Sequence, residues 1–429
     1  MLIKILYLDL LEVGDPRADE IYRKHIEIIT EGSFKENGNP DKCSLEGFKR
    51  EFLKVYKSIS LSSFDPRLSL VPVGTDGGIL DGAHRMACAL KLGLNVEVLP
   101  IDAQTKTYDS EFFIKNGMPI EWCELAVKNA LRYFPNVFVA CVWAGHEACK
   151  ELEKHVDIIY SKKVKSDIRS VKNLVIEFYG QEEWIGSLNN GFSGADGKVE
   201  PCLSKDGNLY LVWFKCSRSI LDLKDTVREK FGLGKHSIHI TDTAEECVGH
   251  SDFLLSEAFE HIIHRFDFDS RFSVLALKML KESREKISEG VISGSCLWAL
   301  SNYREASDID FITKRTVTQD QETHNCYESF FPVPIEALID KNLYSFKFMG
   351  FRFLDFFPIV WMKEKRGEPK DKLDLNLINE KKTCLWDKFS GHYIYIRMRS
   401  KFLLVKLLKA LGLLEYAILI KSKVAKWNR

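Results

Sequence analysis

The sequence has no excess of charge of one sign, no long apolar run and no paired cysteines. Its 61 Lys and Arg residues balance 61 Asp and Glu residues, so the basic footprint of a general nucleic-acid-binding protein is missing. No uninterrupted apolar stretch reaches the roughly 18 residues that a transmembrane helix needs. The 11 cysteines lie singly, without a C-x-x-C pair, which argues against structural zinc. We therefore expect no nucleic-acid partner and a reducing compartment.

The amino terminus also lacks the features of a secretory signal. Residues 1–15, MLIKILYLDLLEVGD, contain a short apolar run followed closely by Asp9 and Glu12, without a small-residue cleavage site. Together with unpaired cysteines, this predicts a cytoplasmic protein.

What is present is typical of a folded, multidomain chain. Of the 429 residues, 45% are hydrophobic and 28% are charged, which are globular values. The length predicts two or three domains. Helix-like and strand-like segments alternate, so we predict a mixed α/β (α+β) multidomain fold, divided into residues 1–125, 126–265, 266–395 and 396–429.

The apolar spacing predicts particular elements within these units. Helices are expected at ADEIYRKHIEIIT, LEGFKREFLKVYKSI and HRMACALKLG, with Gly93 ending the last of them. Short strands are expected at LSLVPVG and NVEVLPI, and buried central strands at NVFVACVWAG, VDIIYSKKV and NLYLVWFKC. A further strand is expected at SDIDFITK.

The first candidate site is GGILDGAHRMACALKLG, residues 77–93. A strand-like run leads into a turn at Gly82, and a helix begins near His84. Backbone N–H groups at a helix start favour anions, while His84 and Arg85 add side-chain donors. Asp81 supplies a carboxylate that can accept a proton or help to hold a metal ion. The alternative is that Asp81 only caps the helix while His84 and Arg85 lie on a solvated face.

This turn resembles the signature of the ParB/sulfiredoxin-like superfamily, and its D-G-x-H-R form is most similar to the free-serine kinases. The resemblance covers most of residues 1–120. It implies ATP- or ADP-dependent phosphorylation of a small hydroxyl compound, with Gly82, His84 and Arg85 holding phosphates and Asp81 as the base or metal-side carboxylate.

Two differences between this sequence and the superfamily argue against two of the functions that its members have. Ala83 stands where a sulfiredoxin has its catalytic cysteine, which argues against sulfinic-acid reduction. No helix-turn-helix segment is evident after residue 100, which argues against chromosome partitioning. A kinase also needs a group that orients the accepting hydroxyl, and Glu36, His25 and Arg17 are candidates.

The second candidate site is GVISGSCLWALSNYREASDIDFITK, residues 290–314. On a strand, Asp308 and Asp310 would project from the same face. Two such carboxylates repel each other unless a cation lies between them, which predicts a Mg²⁺ site. Gly294 and Ser295 form the turn before a helix, where a small residue lets a triphosphate approach the backbone. Taken singly, each half is also typical of ordinary turns and solvated strands.

The combination of G-S, a dozen residues and D-x-D resembles the core of the polymerase-beta-like nucleotidyltransferase fold. The downstream Lys363, Arg366, Lys370, Asp371 and Asp374 resemble the K-x-x-R and K-D-x-x-D helices of AbiEii-like nucleotidyltransferases. The resemblance covers roughly residues 270–380 and implies that Lys363 and Lys370 bind the nucleotide. The third carboxylate that is usual in this fold is not assigned.

The middle of the chain and its end offer weaker signals. Lys235, His236 and His239 are candidate phosphate or sugar ligands. The alternative there is structural, with Thr241 or Asp242 capping the next helix and Glu245 completing a capping box. Residues 397–429 hold nine Lys and Arg residues and one acidic residue among leucines. This pattern is typical of a helix on an anionic membrane surface, and equally of terminal helices packed on the domain.

The two resemblances together are similar to bacterial proteins of capsule or lipopolysaccharide biosynthesis. They predict an enzyme that uses ATP or another nucleoside triphosphate with Mg²⁺, and a small-molecule or glycan acceptor. One site would phosphorylate a hydroxyl of a sugar, polyol or amino acid, and the other would transfer phosphoryl or nucleotidyl groups. The alternatives are an AbiEii-like nucleotidyltransferase toxin and a nucleotide-binding scaffold without turnover.

Overall fold

The computed structural model describes residues 1–285, 287, 290–314 and 323–382, with backbone alone at 379–382. Helices and small sheets alternate along this part of the chain, so the predicted mixed α/β class is confirmed. The predicted basic segment 397–429 lies outside the described residues. None of the described helices is both long enough and apolar enough to cross a bilayer.

The amino-terminal unit consists of helices packed on one another and a short two-stranded parallel sheet, in which Val71 pairs with Val98 and the second strand is exposed. Its first helix was not predicted: residues 3–10 are buried because the helix packs against neighbours on several sides, so no polar face marks it. The elements of this unit are α1 (Leu2–Glu12), α2 (Ala18–Ile29), α3 (Leu45–Ser62), β1 (Val71–Val73), α4 (Ala83–Lys91), β2 (Val98–Pro100), α5 (Ser110–Lys115) and α6 (Ile120–Ala130).

The central unit is an antiparallel sheet in the order β4-β5-β3-β6. The six residues of β3 are all buried. Val139 and Cys141 join the main core, whereas Ala140 and Val142 join a second cluster on the opposite face. The elements are β3 (Val137–Val142), α7 (His146–Glu153), β4 (Asp157–Lys165), α8 (Ile168–Tyr179), α9 (Asp196–Cys202), β5 (Asn208–Lys215), α10 (Ile220–Phe231), β6 (Ile238–Ile240) and α11 (Ala244–Leu254).

The carboxyl-terminal unit has a mixed sheet in the order β8-β7-β10-β9. The β7–β10 pair is parallel, and the β7–β8 and β9–β10 pairs are antiparallel. The elements are α12 (Phe259–Ile263), α13 (Arg271–Glu282), β7 (Val291–Ile292), α14 (Cys296–Leu300), β8 (Phe311–Ile312), α15 (Ile335–Asp340), β9 (Ser345–Phe348), β10 (Phe351–Leu354), α16 (Phe356–Arg366) and α17 (Pro369–Lys382).

The three units are joined by buried contacts rather than by open linkers. One hydrophobic core runs through all of them. Tyr344 donates a hydrogen bond to Asp15 at 2.8 Å, and Lys128 donates to the carbonyl of Ser345 at 3.1 Å. The division expected at 125/126 lies within α6, and the one at 265/266 lies between α12 and α13. The more detailed domain assignments stay predictions.

Candidate functional site

A polar cavity of about 370 Å³ lies in the carboxyl-terminal unit. It is formed where β7 ends, where β8 begins, and along α16 and the start of α17. Two carboxylates and four basic side chains line it together. The lining residues are Ser295, Arg304, Ser307, Asp308, Asp310, Thr323, His324, Cys326, Tyr327, Lys363, Arg366 and Lys370.

The turn after β7 fits closely against Asp310. Gly294 has a φ of +68°, a backbone conformation that costs other residues energy. A Cβ added at Gly294 would collide with the carboxylate of Asp310. The N–H of Ser293 donates to the carbonyl of Asp310 at 2.8 Å. Glycine is therefore required here both by its backbone angle and by the approach of a carboxylate.

The two aspartates line the cavity together, but not because both lie on a strand. β8 covers only Phe311 and Ile312, so the expectation that the strand includes Asp308 and Asp310 is wrong. Asp308 lies in a bend and accepts a hydrogen bond from the Ser307 hydroxyl at 3.2 Å. The two side chains reach the same space because the short segment before β8 borders the cavity.

His324 holds Asp310 in place and was not predicted from the sequence. Its Nε2 lies 3.0 Å from Oδ1 of Asp310, and its Nδ1 lies 3.1 Å from the Ser293 hydroxyl. Burial disfavours the charged form of Asp310. The bond from His324 and the charges of Lys363 and Lys370 outweigh burial, so the net pKa of Asp310 is lowered. Asp310 is thus held as a carboxylate. The segment QETHNCYE around His324 has no periodic pattern that could have indicated this role.

The basic side chains that line the cavity belong to, or lie next to, a network of buried ion pairs. Lys363 lies 3.2 Å from Asp371 and 2.8 Å from Asp374. Arg366 donates two hydrogen bonds to Asp371, at 2.9 and 2.7 Å, and Arg304 forms a bidentate pair with Asp374. Asp371 and Asp374 are 0% and 1% exposed, so they do not line the cavity. They position three cations at its edge.

These contacts change the role expected for Lys363. Its side chain is buried, binds two carboxylates and lies 5.3 Å from the ring centroid of Trp298, so it has little freedom to follow a ligand. Lys370 is different: its side chain is 66% exposed and its amine lies 3.3 Å from Glu368. The Arg366 guanidinium stacks 4.5 Å from the ring centroid of Tyr327. Lys370 is therefore the exposed cation of this network, whereas Arg366 is held by Asp371 and Tyr327.

The donor set fits a hard cation that also binds a phosphate. Among the described residues, no cluster of three or more His, Cys, Asp and Glu side chains could hold a metal ion. Mg²⁺, however, is usually held by one or two carboxylates, with water and substrate phosphates completing its shell. Asp308 and Asp310 supply two such carboxylates, and the basic side chains would face the phosphates.

The predicted turn at Gly82 forms, but its side chains point in different directions. Gly82 has a φ of +84° and precedes α4. Arg85 folds back over it, donating to the carbonyl of Leu70 at 2.9 Å and lying 3.4 Å from the exposed carboxylate of Asp81. His84 lies against Tyr22, whose hydroxyl is 2.9 Å from its Nε2. Asp81, Gly82 and Arg85 are therefore together, while His84 belongs to a different cluster.

The three candidates for orienting an acceptor hydroxyl do not converge on the Gly82 turn. Glu36 pairs with Lys42 at 2.9 Å, and His25 is buried beside Lys4. Arg17 binds Asp15 and lies 3.4 Å from the ring centroid of Phe357, at the contact with the carboxyl-terminal unit. The contacts of Arg17 indicate a structural role, since they join the amino-terminal and carboxyl-terminal units.

The candidates in the central unit are also separated. Lys235 is exposed, and His236 precedes β6 in a turn, with Nδ1 3.7 Å from the Cys202 sulfur. His239 is buried on β6 between Phe178 and Tyr179, and burial first, then nearby cations, lower its pKa to about 3. His236 and His239 therefore contact different neighbours, and a shared ligand for the three residues stays a prediction.

The alternative prediction, that residues near Thr241 cap the following helix, is correct for the helix but not for the capping residue. Thr243 caps α11 by accepting a hydrogen bond from the N–H of Glu246 at 3.1 Å. The expectation of a cap at Thr241 or Asp242 with Glu245 is therefore wrong by one or two residues. Thr241 is instead buried and bonds the N–H of Val139, because β6 continues its pairing with β3 to that point.

His250 predicts a pH dependence of stability. Its Nδ1 lies 2.8 Å from Glu177 and its Nε2 lies 3.7 Å from Glu246. Burial opposes protonation, but the two carboxylates outweigh it and raise the pKa of His250 to about 9. Between the unfolded value near 6.5 and about 9, the folded state binds more protons, so stability falls as the pH rises. We expect a loss of about 2 kcal/mol across this window in urea unfolding. His250→Gln should remove that part of the slope, and an unchanged slope would contradict this assignment.

No match was found when the chain was compared with protein-family models, curated proteins and solved structures. The two resemblances, which cover most of residues 1–120 and roughly residues 270–380, therefore stay predictions. The functional conclusion depends on the geometry of the cavity.

Proposed function

We propose that this protein is a Mg²⁺-dependent phosphotransferase that binds ATP or another nucleoside triphosphate in the carboxyl-terminal cavity. One observation supports this most strongly. A single cavity is lined by Ser295 from the turn after β7, by the carboxylates of Asp308 and Asp310, and by four basic side chains. Carboxylates and cations that line one space suit a ligand that combines a divalent cation with phosphates.

In this proposal each group has a distinct task. Mg²⁺, when bound, would neutralise phosphate charge and align the transferred group. Asp308 and Asp310 would hold the ion, with His324 fixing the orientation of Asp310. Lys370 and Arg366 would contact phosphate oxygens, and Arg304 and Lys363 would add positive charge from the buried network. Gly294 allows the backbone and Asp310 to lie close enough for this arrangement.

The acceptor belongs to the same proposal. A hydroxyl of a sugar, polyol or amino acid would attack the γ phosphate of the bound nucleotide and displace the nucleoside diphosphate, or attack the α phosphate and displace pyrophosphate, with the hydroxyl proton released to solvent. The product would serve the making of a bacterial capsule or lipopolysaccharide. The amino-terminal unit would act as a second, kinase-type site. The observation that favours it is the left-handed Gly82 at the start of α4, with Asp81 and Arg85 beside it. Cytoplasmic location stays part of the proposal.

Binding of a magnesium nucleotide tests the cavity directly. Lys370→Ala should weaken binding of Mg·ATP by about tenfold, since it removes an exposed cation that a phosphate would contact. Isothermal titration at two salt concentrations would measure this, and the loss should shrink at high salt because screening weakens the contact.

The matched control is Lys372→Ala, two residues further along α17. Lys372 is exposed and does not line the cavity, so its removal should leave the affinity unchanged. Equal loss in both variants would indicate general electrostatics rather than a site.

Adenylylation of protein or RNA with no reaction on free sugars would favour the alternative of a nucleotidyltransferase toxin. Nucleotide binding without any product, surviving loss of both Asp308 and Asp310, would favour the scaffold.

A further inference from the structure

A second cavity, which we call the interface cavity, lies where the central unit meets the carboxyl-terminal unit. It has a volume of about 690 Å³ and is formed by the start of α8, by α9 and by the segment 264–269 between α12 and α13. This volume is typical of small-molecule sites. Among the described residues, the interface cavity and the carboxyl-terminal cavity have no lining residue in common. The function proposed above therefore gives the interface cavity no role.

Buried contacts hold the walls of the interface cavity in place. The side-chain amide of Asn173 is buried and donates to the carbonyls of Ile263 and Phe266 at 3.1 Å each, which ties the segment after α12 to α8. In the same segment, His264 lies 3.3 Å from Asp167, the residue that caps α8. Walls that are fixed before a ligand arrives reduce the entropy lost on binding. The interface cavity is thus a formed site rather than a gap between loops.

The lysine and the arginine of the interface cavity already have carboxylate partners. Lys172 lies 2.7 Å from Asp196, and Arg169 lies 3.1 Å from Asp267. Asp196 is 62% exposed and Arg169 is 55% exposed, so both pairs are open to solvent. A charged ligand would have to compete with one of these pairs. A hydroxyl group can instead donate to the carboxylate and accept from the cation of the same pair, so the arrangement favours an uncharged ligand with several hydroxyl groups.

One aromatic ring gives the interface cavity an apolar face. Phe268 lines the cavity, is partly exposed and packs edge-on against the buried Phe266, with ring centroids 4.9 Å apart. The Lys172 amine lies 5.6 Å from the Phe268 centroid, so the ring and the Lys172–Asp196 pair border the same space. The C–H groups of a sugar ring can pack on an aromatic face while its hydroxyls reach polar groups beside it. An open-chain polyol lacks this rigid C–H face.

We propose that the interface cavity binds an uncharged sugar ring. The two ion pairs would exchange hydrogen bonds with the hydroxyl groups of the sugar, and Phe268 would pack on its C–H face. Because the two cavities share no described lining residue, sugar binding here does not require a nucleotide or the aspartates of the carboxyl-terminal cavity. The inference is therefore independent of the proposed phosphotransfer.

Titration of the full chain with sugars, followed by ligand-observed NMR, tests the proposal. The probes are glucose, galactose and N-acetylglucosamine, compared with the charged analogues glucosamine and glucose phosphate and with the open-chain sorbitol. A neutral sugar should bind best, and its affinity should change little between low and high sodium chloride because it forms no ion pair with the protein. No binding of any neutral sugar, or tighter binding of a charged analogue or of sorbitol, would overturn the proposal.

Removing the carboxylate of Asp196 should weaken sugar binding. Asp196→Ala should lower the affinity by about tenfold, because it removes a charged hydrogen-bond acceptor. The matched control is Asp242→Ala in the same unit. Asp242 is 66% exposed and also pairs with a lysine, Lys224, but it does not line the cavity, so its removal should leave the affinity unchanged.

Replacing the aromatic face should weaken sugar binding as well. Phe268→Leu keeps an apolar side chain beside Phe266 but removes the flat ring, and should lower the affinity by about fivefold. Phe112→Leu is the matched control, since Phe112 is also partly exposed and packs edge-on against a buried phenylalanine, Phe113. Wild-type affinity in both Asp196→Ala and Phe268→Leu would contradict the assignment of the sugar to this cavity.

A variant of the carboxyl-terminal cavity separates this proposal from the proposed function. Lys370→Ala should bind the sugar like wild type even where it binds Mg·ATP more weakly. Loss of sugar binding in Lys370→Ala would place the sugar in the carboxyl-terminal cavity and overturn the inference. Sugar binding that persists while no variant affects a nucleotide would leave the inference intact and count against the phosphotransferase.

Discussion

Replacing Asp310 by asparagine is expected to lower nucleotide turnover by about 10³-fold, or about 4 kcal/mol of transition-state stabilisation. Asparagine keeps the shape of the side chain and an oxygen that can accept the bond from His324. It removes the negative charge that would hold Mg²⁺, but it does not change the packing of this side chain against Gly294. The loss should therefore appear in kcat rather than in folding, and product formation under saturating Mg²⁺ and nucleotide would measure it.

The control for this prediction is Asp340→Asn in the same unit. Asp340 is 53% exposed and pairs with Lys314 on the surface, away from the residues that line the cavity. It should turn over nucleotide like wild type. Wild-type turnover in Asp310→Asn, with the fold shown intact by circular dichroism, would exclude Asp310 from the chemistry.

Replacing Gly294 by alanine is expected to have the second large effect. An alanine at this position would have to adopt a φ near +68°, and its Cβ would collide with the Asp310 carboxylate. Backbone strain and overpacking together should cost about 2–4 kcal/mol of unfolding free energy. Because Asp310 must move, Mg·ATP binding should be lost as well. Denaturant unfolding and titration calorimetry measure the two effects separately.

Gly367→Ala provides a matched control for the backbone term. Gly367 has a φ of +69°, and an added Cβ there would meet nothing closer than an atom at 4.0 Å. It should show only the cost of the left-handed conformation, about 1–2 kcal/mol, with nucleotide binding retained. An equal loss of stability and binding in both variants would show that the approach of Asp310 to the turn has no special role.

Much of the fold could be predicted because apolar periodicity is a local signal. The buried strands β3 and β5 and the helices α2, α3 and α4 are confirmed. The strand β4 also forms, but the expectation that it is buried is wrong, because alternate residues of this edge strand are exposed. α1 was missed because burial on several sides removes the polar face that identifies a helix. β8 is shorter than expected, since Asp308 and Asp310 border the cavity instead of continuing the pairing.

The candidate site could be predicted only where its residues are close in sequence or repeat a known spacing. Gly294, Asp308 and Asp310 were found together for this reason, and they line or border one cavity. His324 and Arg304 also line the cavity, but they belong to neither motif and are brought there by the tertiary fold. For Arg304, a basic residue four positions before Asp308 was a usable signal. His84 was expected to bind the same ligand as Arg85, because the two residues are adjacent at the start of a helix. Its side chain instead points towards Tyr22.

The most direct test of the account is nucleotide turnover with label at the α or the γ phosphate, in the presence of Mg²⁺ and a panel of sugars, polyols and amino acids. Wild type should form a labelled product, and Asp308→Asn should abolish the part that depends on the carboxyl-terminal cavity. Asp81→Asn should leave that part intact. If neither substitution altered nucleotide consumption, or if wild type formed no product with any nucleotide, the assignment of phosphotransfer to this cavity would be contradicted.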